Sequence, residues 1–443
     1  MYLYRDLLAR ADAGNPIKVG LIGAGKFGTM FLSQVPTTPG LEVAAICDLD
    51  PEAAQRSCRV AGWGEERIAA TRFSEDAAAL ISGAMADGIE IVVEATGDPL
   101  AGVVHASCAI AAGLPIIMVN VEADVLAGPI LAKEAERAGV VYSMAYGDQP
   151  ALICELVAWA RSCGFEVVAA GKGTKYLPEY HAATPDTVWD HYGLTADEAQ
   201  AAGMQSQMFN SFLDGTKSAL EMAAVCNATG LAAPTDGLCF PPAGVDELAE
   251  VLRPQSVGGS LSRKGQVEVV SSLYRDGSTV ARDLRWGVYV VVEAPSEYAA
   301  ACFAQYGLTT DTTGRYAAIY KPVHLIGLEL NISILSAALH GRPTGMTRKF
   351  KGDVVTVAKR DLAAGEMLDG EGGFTVWGKL IPAEMSVEMN GLPIGLAQNA
   401  PLKRAIAAGH PILWGDVDVD QSLPAVAARR EMMAQMRPAN AAE

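Results

Sequence analysis

Residues 18–28 read KVGLIGAGKFG, and this stretch decides the fold of the N-terminal part of the chain. An apolar run that ends at Ile22 predicts a buried strand, which leads directly into the pattern G-x-G-x-x-G and then into a helix. Gly23 permits the tight turn, Gly25 lets a pyrophosphate approach the backbone, and Gly28 lets helix and strand pack closely. The N–H groups at the start of that helix favour the phosphate charge.

A second apolar strand, over residues 41–47, supports the same interpretation because it ends in an acid. Asp48 follows 20 residues after Gly28 and can accept hydrogen bonds from both hydroxyls of an adenosine ribose. Strand, glycine turn, helix, strand and acid therefore predict a nicotinamide-dinucleotide site, with a purely structural glycine turn as the alternative. The predicted cofactor-binding residues are Gly23, Gly25, Lys26, Phe27, Gly28, Asp48, Thr96, Gly97 and Asn120.

The composition restricts the class of protein. A chain of 443 residues is too long for one core and predicts two or three domains. With 50% hydrophobic and 19% charged residues it has the composition of a well-packed enzyme. The formal net charge of −17 opposes a phosphate backbone, so we expect no nucleic-acid partner. Eight scattered cysteines without a C-x-x-C pattern indicate reduced thiols instead of disulfides or a zinc site.

The hydropathy pattern gives no sign of a membrane protein. No stretch reaches the roughly 18 uninterrupted apolar residues of a membrane span. The N-terminus carries charges where a signal peptide needs an apolar segment. We therefore expect a soluble, cytoplasmic protein that has no membrane partner.

Apolar strands alternate with helical segments through about residue 150. This alternation predicts an α/β domain with a doubly wound parallel sheet, the Rossmann arrangement, over residues 1–150. The mixture of helical segments and antiparallel strands over residues 151–345 predicts an α+β substrate and dimerisation domain. Its last element is predicted to be a long apolar helix over residues 320–339 that returns to the first domain.

The C-terminal part has short strands, many glycines and several prolines. This pattern predicts a compact β-rich module over residues 346–423, followed by a helical and disordered tail over 424–443. Two apolar strands of the middle domain, at 267–274 and 286–293, would leave edges that a monomer has to protect. We therefore predict a homodimer or a higher homo-oligomer formed through that domain.

The most concentrated reactive side chains are Lys172, Lys175, Asp214 and Lys217, and they are the predicted catalytic residues. Their segments contain glycine and border regular elements, as catalytic loops often do. A lysine can polarise a carbonyl, stabilise an enediolate or hold a phosphate. Asp214 with Lys217 could also carry a proton to an alkoxide formed by hydride transfer. The alternative is a solvated salt bridge at a helix start.

Three acids, Glu122, Asp124 and Asp148, follow strands at the predicted C-terminal edge of the sheet, where ligands bind in doubly wound folds. They could hold a divalent cation such as Mg or Mn. The alternative for the first two is stabilisation of a helix N-terminus. His324, near a predicted helix start, could contact substrate, but its apolar neighbours favour a core or capping role.

The chain resembles the homoserine dehydrogenase superfamily in its first domain and at residues 171–174 and 213–217, and residues 352–420 resemble a SAF module. The three-part arrangement is similar to the 1-deoxy-D-xylulose 5-phosphate reductoisomerase-like proteins of some bacteria. The specific marks are MVNVEADV at 118–125, YGDQP at 146–150 and MFNSFLDGTK at 208–217.

The resemblance implies NADPH-dependent isomerisation and reduction of 1-deoxy-D-xylulose 5-phosphate to 2-C-methyl-D-erythritol 4-phosphate in isoprenoid synthesis, with a divalent cation. Two features depart from it. Homoserine dehydrogenases carry an Asn-Lys pair where Asn120 is followed by Val121 here. Asp48 would repel a 2′-phosphate and favours NAD over NADP, unless Arg56 or Arg59 offsets its charge.

Two alternatives stand beside the reductoisomerase. The first is another NAD(P)-dependent dehydrogenase of a sugar, sugar acid or aldehyde. The second, from a different class, is a dinucleotide-sensing scaffold protein whose SAF module binds a partner. The group of lysines with Asp214 argues against a scaffold, because a scaffold has no need for it.

Overall fold

The computed structural model describes residues 3–201 and 203–436, which form two compact units. The first unit runs to Leu152 and includes the later segment His324–Arg348. The second comprises Ile153–Val323 and the chain from Lys349 onward.

A six-stranded parallel sheet forms the centre of the first unit. Its strands are β1 (Ile17–Ile22), β2 (Leu41–Cys47), β3 (Arg72–Ser74), β4 (Ile91–Glu94), β5 (Ile116–Met118) and β6 (Tyr142–Met144). Their order is β3-β2-β1-β4-β5-β6, and all neighbouring pairs are parallel. This is the predicted Rossmann sheet, and the chain reverses its direction of winding between β1 and β4, where such folds bind ligands.

Eight helices accompany this sheet in the described part of the first unit. They are α1 (Leu3–Asp12), α2 (Lys26–Gln34), α3 (Pro51–Val60), α4 (Glu65–Ala70), α5 (Ala77–Asp87), α6 (Pro99–Ala111), α7 (Val121–Ala138) and α15 (Asn331–His340). Helix α15 buries Ile334 and Leu335 in the same core as Leu7 of α1 and Phe31 of α2. The segment 324–348 thus completes the core of the first unit.

The long helix predicted over residues 320–339 is wrong in its first half. Strand β11 (Tyr316–Lys321) ends immediately before Pro322, and the regular helix begins only at Asn331. Proline cannot continue a strand ladder, and Gly327 has a left-handed backbone with φ of +75°. These two residues interrupt an apolar run that otherwise has helical character.

A mixed five-stranded sheet forms the centre of the second unit. Its remaining strands are β7 (Glu166–Thr174), β8 (Gln266–Ser271), β9 (Val288–Glu293) and β10 (Thr309–Thr310). The order is β10-β11-β9-β7-β8, with β7 parallel to β8 and antiparallel to β9. Of the two strands predicted to leave exposed edges, β8 lies at an edge of the sheet and β9 lies inside it. The edge predicted for residues 286–293 is therefore wrong. The oligomer itself stays a prediction.

The helices that accompany this sheet are mostly short. They are α8 (Gln149–Ser162), which begins in the first unit, α9 (Val188–Tyr192), α10 (Ala196–Ala201), α11 (Ser206–Leu213), α12 (Thr216–Thr229), α13 (Leu248–Val251) and α14 (Glu297–Gln305). Helix α12 is almost entirely buried, including the polar residues Ser218, Glu221 and Asn227.

The C-terminal region is β-rich, as predicted. Two antiparallel pairs make it up: β12 (Gly352–Ala358) with β14 (Val376–Pro382), and β13 (Met367–Asp369) with β15 (Gln398–Pro401). Helices α16 (Ala383–Met389) and α17 (Pro424–Ala434) follow β14 and β15 respectively. Residues 437–443 of the predicted tail lie outside the described residues. Across residues 3–201 and 203–436, no helix has the length and apolar character needed to cross a bilayer.

Candidate functional site

The glycine turn between β1 and α2 has the geometry of a phosphate cradle. Gly23 has φ of +95°, and a Cβ there would lie 2.6 Å from the carbonyl oxygen of Ala95. A Cβ on Gly28 would lie 2.5 Å from the carbonyl oxygen of Gly23. A Cβ on Gly25 would meet no atom within 4 Å, so Gly25 faces open space at the start of α2. Two glycines therefore permit close packing, and the third leaves room for a ligand.

Asp48, at the end of β2, directs its carboxylate at this turn. Its Oδ2 accepts a hydrogen bond from the backbone N–H of Ala24 at 2.8 Å, and its Oδ1 accepts one from Asp50 at 3.1 Å. The next side chain, Leu49, is apolar but 92% exposed. An acid and an exposed apolar group thus lie side by side next to the glycine turn.

The two arginines that could offset the charge of Asp48 are engaged elsewhere. Arg56 pairs with Asp50 at 3.1 Å, and Arg59 pairs with Glu65 at 2.8 Å. Because each is bound to another acid, Asp48 keeps its negative charge uncompensated by either of them.

The loops after β4 and β5 bring Thr96 and Asn120 together. The Asn120 amide Nδ2 donates to the carbonyl of Asp98 at 2.7 Å and to the hydroxyl of Thr96 at 3.3 Å. Its Oδ1 accepts from the backbone N–H of Ala123 and so caps α7. Gly97, with φ of +73°, allows the intervening turn. The predicted cofactor-binding residues thus lie at the ends of β1, β2, β4 and β5, the edge at which doubly wound folds bind ligands.

A buried acid at this edge was not foreseen from the sequence. Glu94, at the end of β4, is fully buried, and its Oε1 accepts from the Thr96 hydroxyl at 2.5 Å and lies 3.2 Å from Nδ1 of His105. Its Oε2 is buried and forms no hydrogen bond within the described residues. The charged residue that ends the apolar run at 91–93 is the signal that could have revealed it.

The predicted metal site stays a prediction, because the described residues do not bring its three acids into one group. Glu122 and Asp124 lie in the first turn of α7, and the Oδ1 of Asp124 accepts from the Tyr142 hydroxyl at 2.9 Å inside the unit. Burial raises the pKa of Asp124 to about 7. In the described part of the chain, Asp148 does not join them, since no three His, Cys, Asp or Glu side chains form a group able to hold a metal.

Lys172 lies in a strand and not in the predicted irregular loop. It is 3% exposed in β7, and its ammonium pairs with the buried carboxylate of Glu221 on α12. Glycines flank it because β7 lies tightly between its neighbours: a Cβ on Gly171 would lie 1.8 Å from the carbonyl oxygen of Glu268. Glu221 is a second functional candidate that the sequence pattern, four residues beyond Lys217 in an apolar helix, did not reveal.

Lys175, the residue after β7, is half-buried and separate from the Lys172–Glu221 pair. Its ammonium donates to the carbonyl of His191 and lies 5.6 Å from the ring centroid of Tyr192. Burial lowers the pKa of Lys175, and the nearby charge of Arg285 lowers it further. A lysine with a depressed pKa gives up its proton more readily than an exposed one.

The carboxylate of Asp214 pairs with Lys359, a partner that the predicted proton relay did not include, and the relay with Lys217 stays a prediction. The Lys359 ammonium lies 2.8 Å from Oδ2 of Asp214, and both groups are buried. Burial raises the pKa of Asp214, while Lys359 and the N–H of Thr216 act in the opposite direction. The role of Lys359 could not be read from the sequence, since it lies in the C-terminal region.

Lys217 is the second residue of α12 and is half-buried. His324 lies in an irregular segment ahead of the turn at 326–330 and not at a helix start, which removes the geometric reason for its predicted capping role. Of the four predicted catalytic residues, two are thus held in buried ion pairs and two lie at partly exposed positions.

Comparison with known proteins gives one family match. Residues 147–330 match the family model described as "Oxidoreductase DRL, catalytic domain". No protein of curated function matches the chain significantly.

Several solved dehydrogenases match at low similarity. The myo-inositol dehydrogenase of Lactobacillus casei, in complex with NAD(H) and myo-inositol, is 18% identical over 39% of this chain and 50% of its own, with a TM-score of 0.29. An oxidoreductase of Agrobacterium radiobacter, in complex with NAD+, L-tartaric acid and magnesium, is 18% identical over 44% of this chain and 54% of its own, with a TM-score of 0.27. A probable dehydrogenase of Thermotoga maritima is 12% identical over 74% of this chain and 90% of its own, with a TM-score of 0.38.

This chain spans about half the length of the first two of these structures. The segment that matches the family model includes Lys172, Lys175, Asp214 and Lys217.

Proposed function

We propose that this protein is an NAD(P)-dependent oxidoreductase that interconverts a CH–OH group and a carbonyl on a small sugar, sugar acid or aldehyde, with a preference for NAD. The observation that supports it most is the open space at Gly25 beside the Asp48 carboxylate, in a chain whose residues 147–330 match an oxidoreductase catalytic domain.

The residues at the glycine turn fit a dinucleotide. A pyrophosphate would occupy the space at Gly25, facing the N–H groups at the start of α2. Asp48 would accept from the ribose hydroxyls in place of the N–H of Ala24, and the exposed Leu49 would cover the adenine. When bound, the nicotinamide exchanges a hydride with the substrate carbon. A 2′-phosphate would meet the charge of Asp48, which supports NAD over NADP.

The lysines can supply positive charge and a proton to the reacting oxygen. A hydride that reaches a carbonyl carbon leaves negative charge on the oxygen, and an ammonium stabilises that charge and can then donate a proton to it. Lys217 suits this role because it is half-buried at the start of a rigid helix. Glu221 would fix the orientation of Lys172, and Lys175 would bind a phosphate or carbonyl of the substrate. Asp214, held by Lys359, would act as a positioning residue for the start of α12.

A reductoisomerase acting on 1-deoxy-D-xylulose 5-phosphate is the second candidate. The family match and the marks at 118–125, 146–150 and 208–217 support it, as does a β-rich region where a SAF module is expected. Two observations weigh against it. The described residues do not bring the three predicted metal ligands into one group, and Asp48 disfavours the expected NADPH. We keep the SAF module and a homo-oligomer, with β8 at the contact, as proposals.

Replacing Lys217 tests the catalytic assignment. We expect Lys217→Ala to lower turnover by at least about 10²-fold, because a preorganised cation at the reacting oxygen is worth about that much. Dinucleotide binding and the melting temperature should be unchanged, since the side chain is not part of the core. Lys175→Ala should raise KM more than it lowers kcat. Near-normal turnover of Lys217→Ala, or inactivity caused by unfolding, would remove Lys217 from the proposed mechanism.

The substrate class is tested by dinucleotide consumption. The assay compares deoxyxylulose phosphate with unphosphorylated sugars, sugar acids and aldehydes, with NAD and NADP in parallel and with identification of the product. Turnover confined to deoxyxylulose phosphate with NADPH would replace the main proposal by the second candidate. Absence of turnover together with tight dinucleotide binding would favour the sensing scaffold.

A further inference from the structure

The second unit contains a cavity of about 220 Å³ that the proposed chemistry does not use. Four segments enclose it: the turn of 3-10 helix over residues 178–182, the loop 236–240, the start of α12 and strand β14. Its main lining residues are His181, Gly215, Gly237, Phe240, Trp377 and Lys379. Lys172, Lys175 and Lys217 are not among them, so the cavity is a separate feature of the catalytic half of the chain.

Aromatic rings form one wall of this cavity. His181 stacks on Trp377 with ring centroids 3.9 Å apart, and Tyr176 stacks on Phe240 at the same separation. The Tyr176 hydroxyl lies 2.9 Å from Nε2 of His181 and joins the two stacks. A wall held by stacking and hydrogen bonds is preorganised, so a ligand need not order it on binding.

His181 belongs to the wall and is not a catalytic base. Its Nδ1 lies 2.7 Å from the carbonyl oxygen of Asp214, which can only accept, so Nδ1 carries the proton and Nε2 accepts from Tyr176. Burial lowers the pKa of His181, and the charges of Lys359 and Lys379 lower it further. The imidazole is therefore neutral and both of its nitrogens are used.

A buried acid holds the loop that carries Phe240. Phe240 has φ of +49°, which is unfavourable for a residue with a bulky side chain. Its backbone N–H donates to Oε1 of Glu268 at 3.3 Å, and that of Cys239 donates to the same oxygen at 3.1 Å. The fold thus maintains a strained aromatic residue at the cavity wall.

Lys379 supplies a positive charge. Its side chain is half-buried on β14, and a Cβ on Gly237 would lie 2.9 Å from its Cε, so the aliphatic stem runs along that glycine. Among the described residues, no acid lies within ion-pair distance of its ammonium. Asp236, an exposed acid, also lines the cavity without pairing with Lys379. One unpaired cation with one acid near the rim favours a monoanion over a phosphate dianion.

We propose that this cavity binds a small aromatic monocarboxylate, whose ring packs against Trp377 and Phe240 and whose carboxylate pairs with Lys379. The volume agrees with this class: a cavity of about 150 Å³ holds a benzene ring, so 220 Å³ holds a ring with one carboxylate. The site does not depend on the proposed function, because no residue of that mechanism lines it.

Benzoate is the probe, titrated calorimetrically into the full chain without dinucleotide or substrate. We expect saturable binding of one benzoate per chain, weaker binding of benzyl alcohol and of inorganic phosphate, and no binding of benzylamine. Lys379→Met should weaken benzoate binding at least about tenfold, since it removes the partner of the carboxylate. Lys379→Arg should retain most of the affinity.

Lys403→Met is the matched control, because Lys403 is an exposed lysine of the same unit, 3.7 Å from Asp418 and outside the cavity. Its benzoate affinity should equal that of the parent chain, and the melting temperatures of all variants show that they are folded. The absence of saturable benzoate binding, equal affinity of folded Lys379→Met, or tighter binding of phosphate would each overturn the proposal. None of these outcomes bears on the oxidoreductase, which is tested by turnover.

Discussion

Two glycine-rich segments of this chain look alike as sequence and differ in the structure. In the first unit, Gly25 faces open space at a turn between strand and helix. In the second unit, Gly171 and Gly173 lie inside β7, and a Cβ on either would come within 2.0 Å of a carbonyl oxygen of the surrounding chain. The first glycine leaves space that a ligand could occupy. The other two allow the neighbouring backbone to pack against β7.

The difference shows that a glycine motif is interpreted correctly only through what surrounds it. Gly-Lys-Gly-Thr-Lys suggested a catalytic loop, yet its first four residues belong to strand β7, and the first three of them are buried. The lysine between the glycines is consequently held in an ion pair and does not move freely. Four substitutions test the difference between the glycine turn of the first unit and the packed strands of the second.

Gly171→Ala should have the largest effect. The new methyl group would lie 1.8 Å from the carbonyl oxygen of Glu268, in a sheet where neither strand can withdraw. We expect destabilisation by more than about 4 kcal/mol and no folded second unit. Gly25→Ala is the control, because its methyl group would meet no atom within 4 Å, and it should change stability by less than about 0.5 kcal/mol. Chemical denaturation measures both, and a stable Gly171→Ala variant would contradict the close packing of β7.

Lys172→Met should have the second-largest effect on stability. It leaves the Glu221 carboxylate buried without its cation, which typically costs about 3–5 kcal/mol. The double variant Lys172→Met with Glu221→Met should recover most of that stability, because it removes both charges. Denaturant unfolding of the two single variants and the double variant gives the coupling free energy. Additive effects would show that the two side chains do not form a pair.

Glu268→Gln should change the pH dependence of stability. Burial raises the pKa of Glu268 to about 7 from an ordinary value of 4.5, although backbone N–H groups oppose this. Between these values the folded state holds a proton that the unfolded state has lost, so the free energy of unfolding falls as pH rises. The loss reaches about 3 kcal/mol by pH 7 and then stops.

Unfolding free energies measured from pH 4 to 8 check this prediction, and the variant should lack that slope. Asp124→Asn is the comparison. Burial raises the pKa of Asp124 to about 7 as well, so this residue makes its own contribution to the pH dependence of stability. An unchanged slope in Glu268→Gln would mean that the carboxyl group titrates alike in the folded and unfolded states.

Asp48→Ala should have the smallest effect on stability and a clear one on specificity. Removing the charge that we propose to face the ribose should shift the ratio of the NAD and NADP specificity constants toward NADP by about tenfold or more. The lost hydrogen bond to the N–H of Ala24 should cost no more than about 1 kcal/mol. Steady-state kinetics with both cofactors decides this, and an unchanged ratio would place Asp48 away from the ribose.

Local spacing was enough to predict the first unit. The turn at Gly23, the acid Asp48 and the parallel order of strands follow from short-range patterns, because a strand, a turn and a helix are contiguous there. The metal prediction received no such support, although two of its three residues, Glu122 and Asp124, are close in sequence. Helix α7 begins at Val121, which directs Asp124 into the interior instead of along the edge of the sheet.

The charges of the second unit could not be predicted in the same way. Lys172 pairs with Glu221 and Asp214 pairs with Lys359, each across distant parts of the chain. Which partner a buried charge finds depends on strand order and helix placement, and no pattern of neighbouring residues records these. The C-terminal β-rich region was foreseen as a structure, but its contribution to the surroundings of Asp214 was not.

The pairing of Asp214 with Lys359 has a consequence during synthesis on the ribosome. Asp214 leaves the ribosome long before Lys359, the cation with which it pairs. Likewise, the Thr216 hydroxyl accepts a hydrogen bond from the N–H of Gly378, which is synthesised 162 residues later. The second unit is also interrupted by His324–Arg348, which folds with the first. The nascent second unit therefore remains incomplete until the C-terminal strands have left the exit tunnel, whereas the glycine turn and its sheet can form early. A chain released too soon would present its buried acid to water and to chaperones.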